Sequence, residues 1–86
     1  MAGDEAVYVF WNGELVGTLA LPLWDMFNVS GRWTPCPGTV YDSFIASFGA
    51  EENVRVVIRF PSGSMEGEMC DPPEEDAGVR YDLPSR

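Results

Sequence analysis

The chain has 86 residues and carries 14 acidic residues against five basic ones, which gives a formal net charge of −9. All five basic residues are arginines, and the sequence contains neither histidine nor lysine. These absences exclude histidine-based catalytic triads, histidine metal ligands and lysine Schiff bases, and the acidity disfavours direct binding to nucleic acid or to anionic membranes.

The composition favours one folded domain in a reducing compartment. Hydrophobic residues make up 45% of the chain, which is enough for a core, and no apolar run reaches the ~18 residues of a membrane span. The acidic segment Met1–Glu5 does not resemble a secretory signal, so we expect a cytoplasmic protein. Cys36 and Cys70 are expected to be free thiols there, with a disulfide between them as the alternative.

Residues 7–21 are predicted to form a β-hairpin, because a run of β-branched and aromatic residues is followed by the turn signal Asn12-Gly13. A two-residue turn sets the pairs Trp11–Glu14, Phe10–Leu15, Val9–Val16 and Tyr8–Gly17. Tyr8 is then expected to cover the bare backbone of Gly17. Both faces of this hairpin are apolar, so either it lies inside a two-sided structure or one face is an interaction surface.

Residues 22–38 are predicted to be irregular, apart from a helical turn or short strand within 23–27. A helix is expected to follow, starting at Thr39 with Asp42 in a capping-box-like arrangement and ending at a Gly49 cap. Its apolar face is formed by Val40, Tyr41, Phe44, Ile45 and Phe48. A helix this short must dock on a sheet to be stable.

A second hairpin is predicted from strands at 53–60 and 65–70. Its inward pairs are expected to be Phe60–Met65, Ile58–Gly67 and Val56–Met69, and its outward pairs Arg59–Glu66 and Val57–Glu68. The outward face would then be partly neutralised, because arginine and glutamate side chains lie on it together.

These elements predict an α+β fold, with a small, mostly antiparallel sheet of two hairpins and one helix packed on one face. The order is ββ-loop-α-ββ, for which a β-grasp-like topology is one option. Residues 1–70 are expected to form the single domain. Residues 71–86 are expected to form an acidic, proline-containing extended tail, in which 79–81 is a candidate for a further short strand.

No catalytic residue, metal site or cofactor is predicted. The carboxylate pairs that acid–base chemistry would use are Glu51-Glu52, Glu66 with Glu68, and the run Glu74–Asp76. All are predicted on solvent-facing segments, whereas catalytic carboxylates usually lie in clefts. The protein is therefore expected not to be an enzyme.

The predicted partner-binding residues are of two kinds. Trp24 and Trp33 are candidate anchors, because tryptophan is enriched in binding hot spots. Carboxylates can occupy a basic channel in place of phosphates, and those predicted to do so are Glu51, Glu52, Glu66, Glu68, Glu74, Glu75 and Asp76.

Three functions fit this pattern. The first is a non-enzymatic inhibitor, a DNA mimic of the anti-CRISPR or anti-restriction type carried by phages and mobile elements, which occupies a basic nucleic-acid-binding surface of a host effector. This expectation rests on an analogy of size and charge. The alternative is an immunity or antitoxin protein that neutralises a basic toxin enzyme. The second alternative is a structural or assembly subunit, which would form a homo-oligomer through the first hairpin.

Overall fold

A computed structural model describes residues 6–61 and 63–81 of the chain. In this part of the chain, six antiparallel strands close into a β-barrel, and one helix lies between the third and fourth strands. The elements are β1 (Val7–Trp11), β2 (Glu14–Trp24), β3 (Asn28–Pro35), α1 (Thr39–Ala50), β4 (Val54–Phe60), β5 (Gly63–Met69) and β6 (Asp76–Tyr81). Around the barrel the strands follow the order β1-β2-β3-β6-β5-β4, and β4 pairs back to β1.

The predicted open α+β sheet, with its β-grasp-like option, is wrong, because two strands join the hairpins into a closed barrel. Strand β6 pairs with β3 from Asn28–Arg80 to Arg32–Asp76 and also pairs with β5. It occupies residues 76–81, where the sequence predicts an extended acidic tail with a short strand at 79–81 as an option. Residues 82–86 and the N-terminal segment 1–5 lie outside the described residues.

Strand β3 was not predicted, because a glycine interrupts the alternation of apolar residues along it. Val29 and Trp33 are buried, and Gly31 lies between them on the same face. A Cβ at Gly31 would lie 2.5 Å from the backbone oxygen of Ala20, so this strand position has no room for a side chain.

The first hairpin is confirmed at its turn and corrected further along. Asn12 and Gly13 have φ angles of 54° and 81°, and the pairs Trp11–Glu14 and Phe10–Leu15 form as predicted. A bulge then shifts the register, so the remaining pairs are Val9–Gly17, Tyr8–Thr18 and Val7–Leu19. Trp33, rather than Tyr8, covers Gly17, where a Cβ would meet two indole carbons at 2.3 Å.

The second hairpin has the predicted faces with shifted partners. The observed inward pairs are Phe60–Gly63, Ile58–Met65, Val56–Gly67 and Val54–Met69, and the outward ones include Val57–Glu66 and Arg55–Glu68. Each partner is displaced by two residues because the turn is tighter than expected. Side chains in a strand alternate with a period of two, so this displacement leaves every residue on its predicted face.

Helix α1 begins at Thr39 as predicted, but other residues cap it. The N-cap is Gly38, whose φ of 154° suits glycine, and no side chain donates or accepts a cap hydrogen bond. Instead, the backbone NH of Asp42 donates to the carbonyl oxygen of Gly38 at 3.0 Å. The C-cap is Glu51 and not Gly49, and its NH donates to the oxygen of Ser47 at 3.0 Å.

The helix closes one end of the barrel instead of lying flat on a sheet face. Phe44 is fully buried, and its ring centroid lies 5.9 Å from that of Trp11 and 6.4 Å from that of Trp33. The Trp33 indole also donates a 3.3 Å hydrogen bond to the Tyr41 hydroxyl. The buried core comprises Val7, Val9, Val16, Leu19, Val29, Trp33, Phe44, Val54, Val56, Ile58, Met69, Val79 and Tyr81.

Within residues 6–61 and 63–81, no helix has the length and apolar character needed to span a bilayer.

Candidate partner-binding surfaces

The antiparallel topology gives the barrel two chemically different ends. One end carries the turn at Asn12-Gly13, helix α1 and the connections α1–β4 and β5–β6. The opposite end carries the β2–β3 and β4–β5 connections and the last residue of β6. The predicted binding residues divide between these two ends and the barrel wall, except for Trp33, which lies in the core.

We call the helix-bearing end the acidic end, because exposed carboxylates from separate elements collect there. They are Glu14, Asp42, Glu51, Glu52, Asp71, Glu74, Glu75 and Asp76. The predicted pair Glu51-Glu52 and the predicted run Glu74–Asp76 come from different connections, and the fold places both at this end. At the opposite end, the described residues 6–61 and 63–81 include a single acidic residue, Asp25.

The acidic β5–β6 connection is held to the barrel by backbone hydrogen bonds. The backbone oxygen of Glu75 accepts a 2.9 Å bond from the Trp33 NH, and the Glu74 NH donates to the backbone oxygen of Asp76 at 3.3 Å. The side chains of Glu74, Glu75 and Asp76 are exposed. Their carboxylates are therefore presented from an anchored segment, which lowers the entropy that binding would cost.

The other predicted carboxylates, Glu66 and Glu68, lie on the outer wall and are already paired. Arg55 reaches the Glu66 carboxylate at 3.1 Å and the Glu68 carboxylate at 3.5 Å. Exposed pairs of this kind contribute about 0–1 kcal/mol to stability, and they partly neutralise the wall, as the sequence predicted. Arg59, the partner predicted for Glu66, lies instead over the Phe10 ring at 5.6 Å from its centroid.

A shallow groove of about 370 Å³ runs along the outer surface of β3, β6 and β5, from Arg80 near the opposite end to Asp76 at the acidic end. The charged residues that line it are Glu68, Asp71, Asp76 and Arg80. Gly78 contributes no side chain to its surface, which leaves space there. A groove of this composition can admit an extended basic side chain and pair it with a carboxylate.

The opposite end is apolar and contains Trp24. We define the apolar end as Leu21, Leu23, Trp24, Met26 and Phe27, which remain 74%, 73%, 45%, 68% and 49% exposed. The Trp24 ring packs edge-on against Phe60 and Tyr81, with centroids 5.3 and 5.8 Å apart. Trp24 is thus a surface residue held in place, as an anchor requires.

Trp33, the second predicted anchor, lies in the core and is only 6% exposed. Its ring covers Gly17 and contacts Phe44, so it supports the barrel and is not offered to a partner. The prediction omitted Leu21, Leu23, Met26 and Phe27. The signal was present as five large apolar residues within 21–27, interrupted by Pro22 and Asp25 and without strand alternation.

The described residues contain no group of three or more cysteine, aspartate or glutamate side chains placed to hold a metal ion. Cys36 and Cys70 are both exposed free thiols. Comparisons with protein-family models, with curated proteins and with solved structures gave no significant match. The chemistry of the two ends is therefore the basis for assigning a function.

Proposed function

We propose that this protein is a non-catalytic inhibitor that binds the basic surface of another protein through its acidic end. The observation that carries the proposal is the collection of Glu51, Glu52, Glu74, Glu75 and Asp76 at one end of the barrel. Arg55, which neutralises carboxylates on the wall, pairs with Glu66 and Glu68 instead. Among the described residues, these five carboxylates form no ion pair, and Arg32, opposite Asp76, is the one arginine in strand register with them.

The charge distribution supports fast and selective association. A net charge of −9 on 86 residues produces a strong negative potential, and its concentration at one end orients the molecule as a basic partner approaches. Such steering raises association rates by 10–10³-fold at low ionic strength, and complementary charge selects against acidic partners.

The partner class follows from the same chemistry. Proteins that hold nucleic acid display basic grooves lined with arginine and lysine, and carboxylates on a rigid barrel can occupy such a groove without being cleaved or read. The groove beside Glu68, Asp71 and Asp76 supports this mode, since it can receive one basic side chain of the partner. A nuclease or effector complex of host defence in the cytoplasm is the partner that we propose.

Capture followed by competition tests the proposal. The protein is immobilised, cell lysate is passed over it at low salt, and bound proteins are eluted first with duplex DNA and then with high salt. We expect a basic nucleic-acid-binding protein in the DNA eluate, and we expect the purified partner to lose its activity on DNA when this protein is added. Binding that neither DNA nor salt weakens would overturn the proposal.

A matched pair of double variants locates the contact. Glu74→Gln with Glu75→Gln removes two charges from the acidic end, whereas Asp25→Asn with Glu66→Gln removes two charges that lie outside the acidic end and outside the groove. We expect the first variant to reduce the association rate with the captured partner about tenfold and the second to change it little. Equal effects of the two variants would mean that only total charge matters.

A further inference from the structure

The apolar end has no function in the proposal above. Five large apolar side chains are exposed within seven consecutive residues of the hairpin that joins β2 and β3. Single exposed apolar residues are ordinary, but contiguous patches of several hundred Å² mark interaction sites. A standard interface buries about 800 Å² on each partner, and five large side chains that are each 45% exposed or more can supply part of that area.

The local backbone holds this surface in position. Leu21 has a φ of 50°, which is unusual for a large residue, and the pairing of β2 with β3 is irregular between Ala20 and Leu23. Beyond this irregularity, the Asp25 NH donates to the Asn28 oxygen at 2.7 Å, and an Asp25 carboxylate oxygen accepts from the Met26 NH at 2.7 Å. The apolar end is therefore ordered before binding, and ordering it costs little when a partner arrives.

The charge distribution favours a second copy of this chain as the occupant. Two molecules of net charge −9 repel each other, and most described carboxylates lie at the acidic end. Around the apolar end, the described charged residues are Asp25, Arg59 and Arg80, which include both signs. Two copies that meet here can place Asp25 of one near an arginine of the other.

Contact at the apolar ends also directs the acidic ends away from each other. The molecule extends 33 Å along its longest axes, whereas charge interactions in physiological salt are screened beyond about 8 Å.

The closed barrel leaves no strand edge on the first hairpin, since β1 pairs with β4 and β2 with β3. Self-association therefore depends on side chains, and the apolar end offers the largest exposed apolar set in the described chain.

We propose that two copies of this protein form a symmetric dimer through their apolar ends, with Leu23, Trp24 and Met26 at the centre of the contact. A two-fold contact uses the same patch on both subunits. The partner-binding acidic ends then face outward at the two extremes of the dimer, so inhibitor binding and dimerisation use separate surfaces.

Sedimentation equilibrium over a range of protein concentrations tests this proposal. We expect a mass of twice the 9.5 kDa chain at high concentration, and a dimer that is retained or tightened as salt is raised. Leu23→Asp and Met26→Asp each place a charge in the contact, and we expect both to sediment as monomers. Because both side chains are exposed, the variants should keep the far-ultraviolet circular dichroism spectrum of the parent.

Val57→Asp is the matched control, since it adds the same charge at an exposed apolar residue on the wall and should leave the dimer intact. A parent protein that is monomeric at every concentration would overturn the proposal, as would a dimer that survives in Leu23→Asp. Monomers that co-sediment with phosphatidylcholine vesicles would assign the apolar end to a lipid surface instead. Failure of the inhibitor proposal would alter none of these outcomes, because they are measured without a partner.

Discussion

The hydroxyl of Tyr81 donates a 2.8 Å hydrogen bond to the backbone oxygen of Asp25, which lies 56 positions earlier in the chain. The Tyr81 NH makes a second bond, to the backbone oxygen of Phe27 at 2.9 Å. The last residue of β6 thus holds the β2–β3 hairpin, and with it the apolar end, against the barrel. This contact couples the placement of Trp24 to the closure of the barrel.

Tyr81→Phe removes the hydroxyl bond and keeps the ring that packs against Trp24. We expect the free energy of unfolding to fall by about 1 kcal/mol, the usual contribution of one hydrogen bond. Urea denaturation measures the loss, and amide exchange at Asp25 should quicken more than exchange in β4. An unchanged midpoint with unchanged exchange would show that the bond holds nothing in place.

Gly17→Ala tests the close packing of Trp33 over the β2 backbone. A Cβ at Gly17 would lie 2.3 Å from two indole carbons and 2.9 Å from the Thr34 oxygen, so the ring must move. We expect a loss of about 1–3 kcal/mol, which is typical of overpacked cores. Gly49→Ala is the control, because no atom lies within 4 Å of its Cβ and alanine favours a helix by about 0.5–1 kcal/mol.

Phe44→Ala tests whether the helix closes the barrel through one side chain. Phe44 is fully buried, and its ring centroid is 5.2 Å from that of Phe48 and 6.0 Å from that of Tyr41. Removing the ring is expected to cost about 3–5 kcal/mol, which is a large share of the stability of a small domain. Phe44→Leu should cost less, and thermal unfolding of the two variants gives the ranking. Equal and small losses would mean that the helix docks by other contacts.

Glu66→Gln with Glu68→Gln tests the wall ion pairs independently of binding. The Arg55 and Glu66 side chains are 71% and 73% exposed, so solvent screens their attraction. We expect the free energy of unfolding to change by less than about 1 kcal/mol. A larger loss in urea denaturation would show that the network around Arg55 contributes more than exposed pairs usually do.

Much of the fold was predictable from local signals, and the closure was not. The strand at 7–11, its Asn12-Gly13 turn, the start of α1 and the faces of β4 all follow from turn chemistry and apolar periodicity. Strand β3 was missed because Gly31 fills an inward position where the carbonyl of Ala20 leaves no room. Only the second half of strand β6, residues 79–81, was a candidate strand, because its acidic, proline-containing approach resembles a tail.

The candidate surfaces show a similar division. Composition identified the carboxylates, and turn positions predicted that they are exposed, but their gathering at one end depends on the topology of the closed barrel. Trp24 and Trp33 are the same residue type in neighbouring strands, and from the sequence alone both are predicted to be partner-binding anchors. Their burial differs because of where each lies in the barrel. The Trp33 ring packs over Gly17, which has no side chain to exclude it, whereas Trp24 is the last residue of β2.

Strand β6, which closes the barrel, follows the other described strands along the chain, and this order has a consequence for synthesis. Until residues 76–81 leave the ribosome, β3 and β5 have no neighbour on one side, and each exposes a row of unpaired backbone NH and carbonyl groups. Such edges are sites of aggregation. The nascent protein is therefore most vulnerable before residues 76–81 have emerged from the ribosome, and the carboxylates at Asp71 and Glu74–Asp76 emerge shortly before or together with that segment.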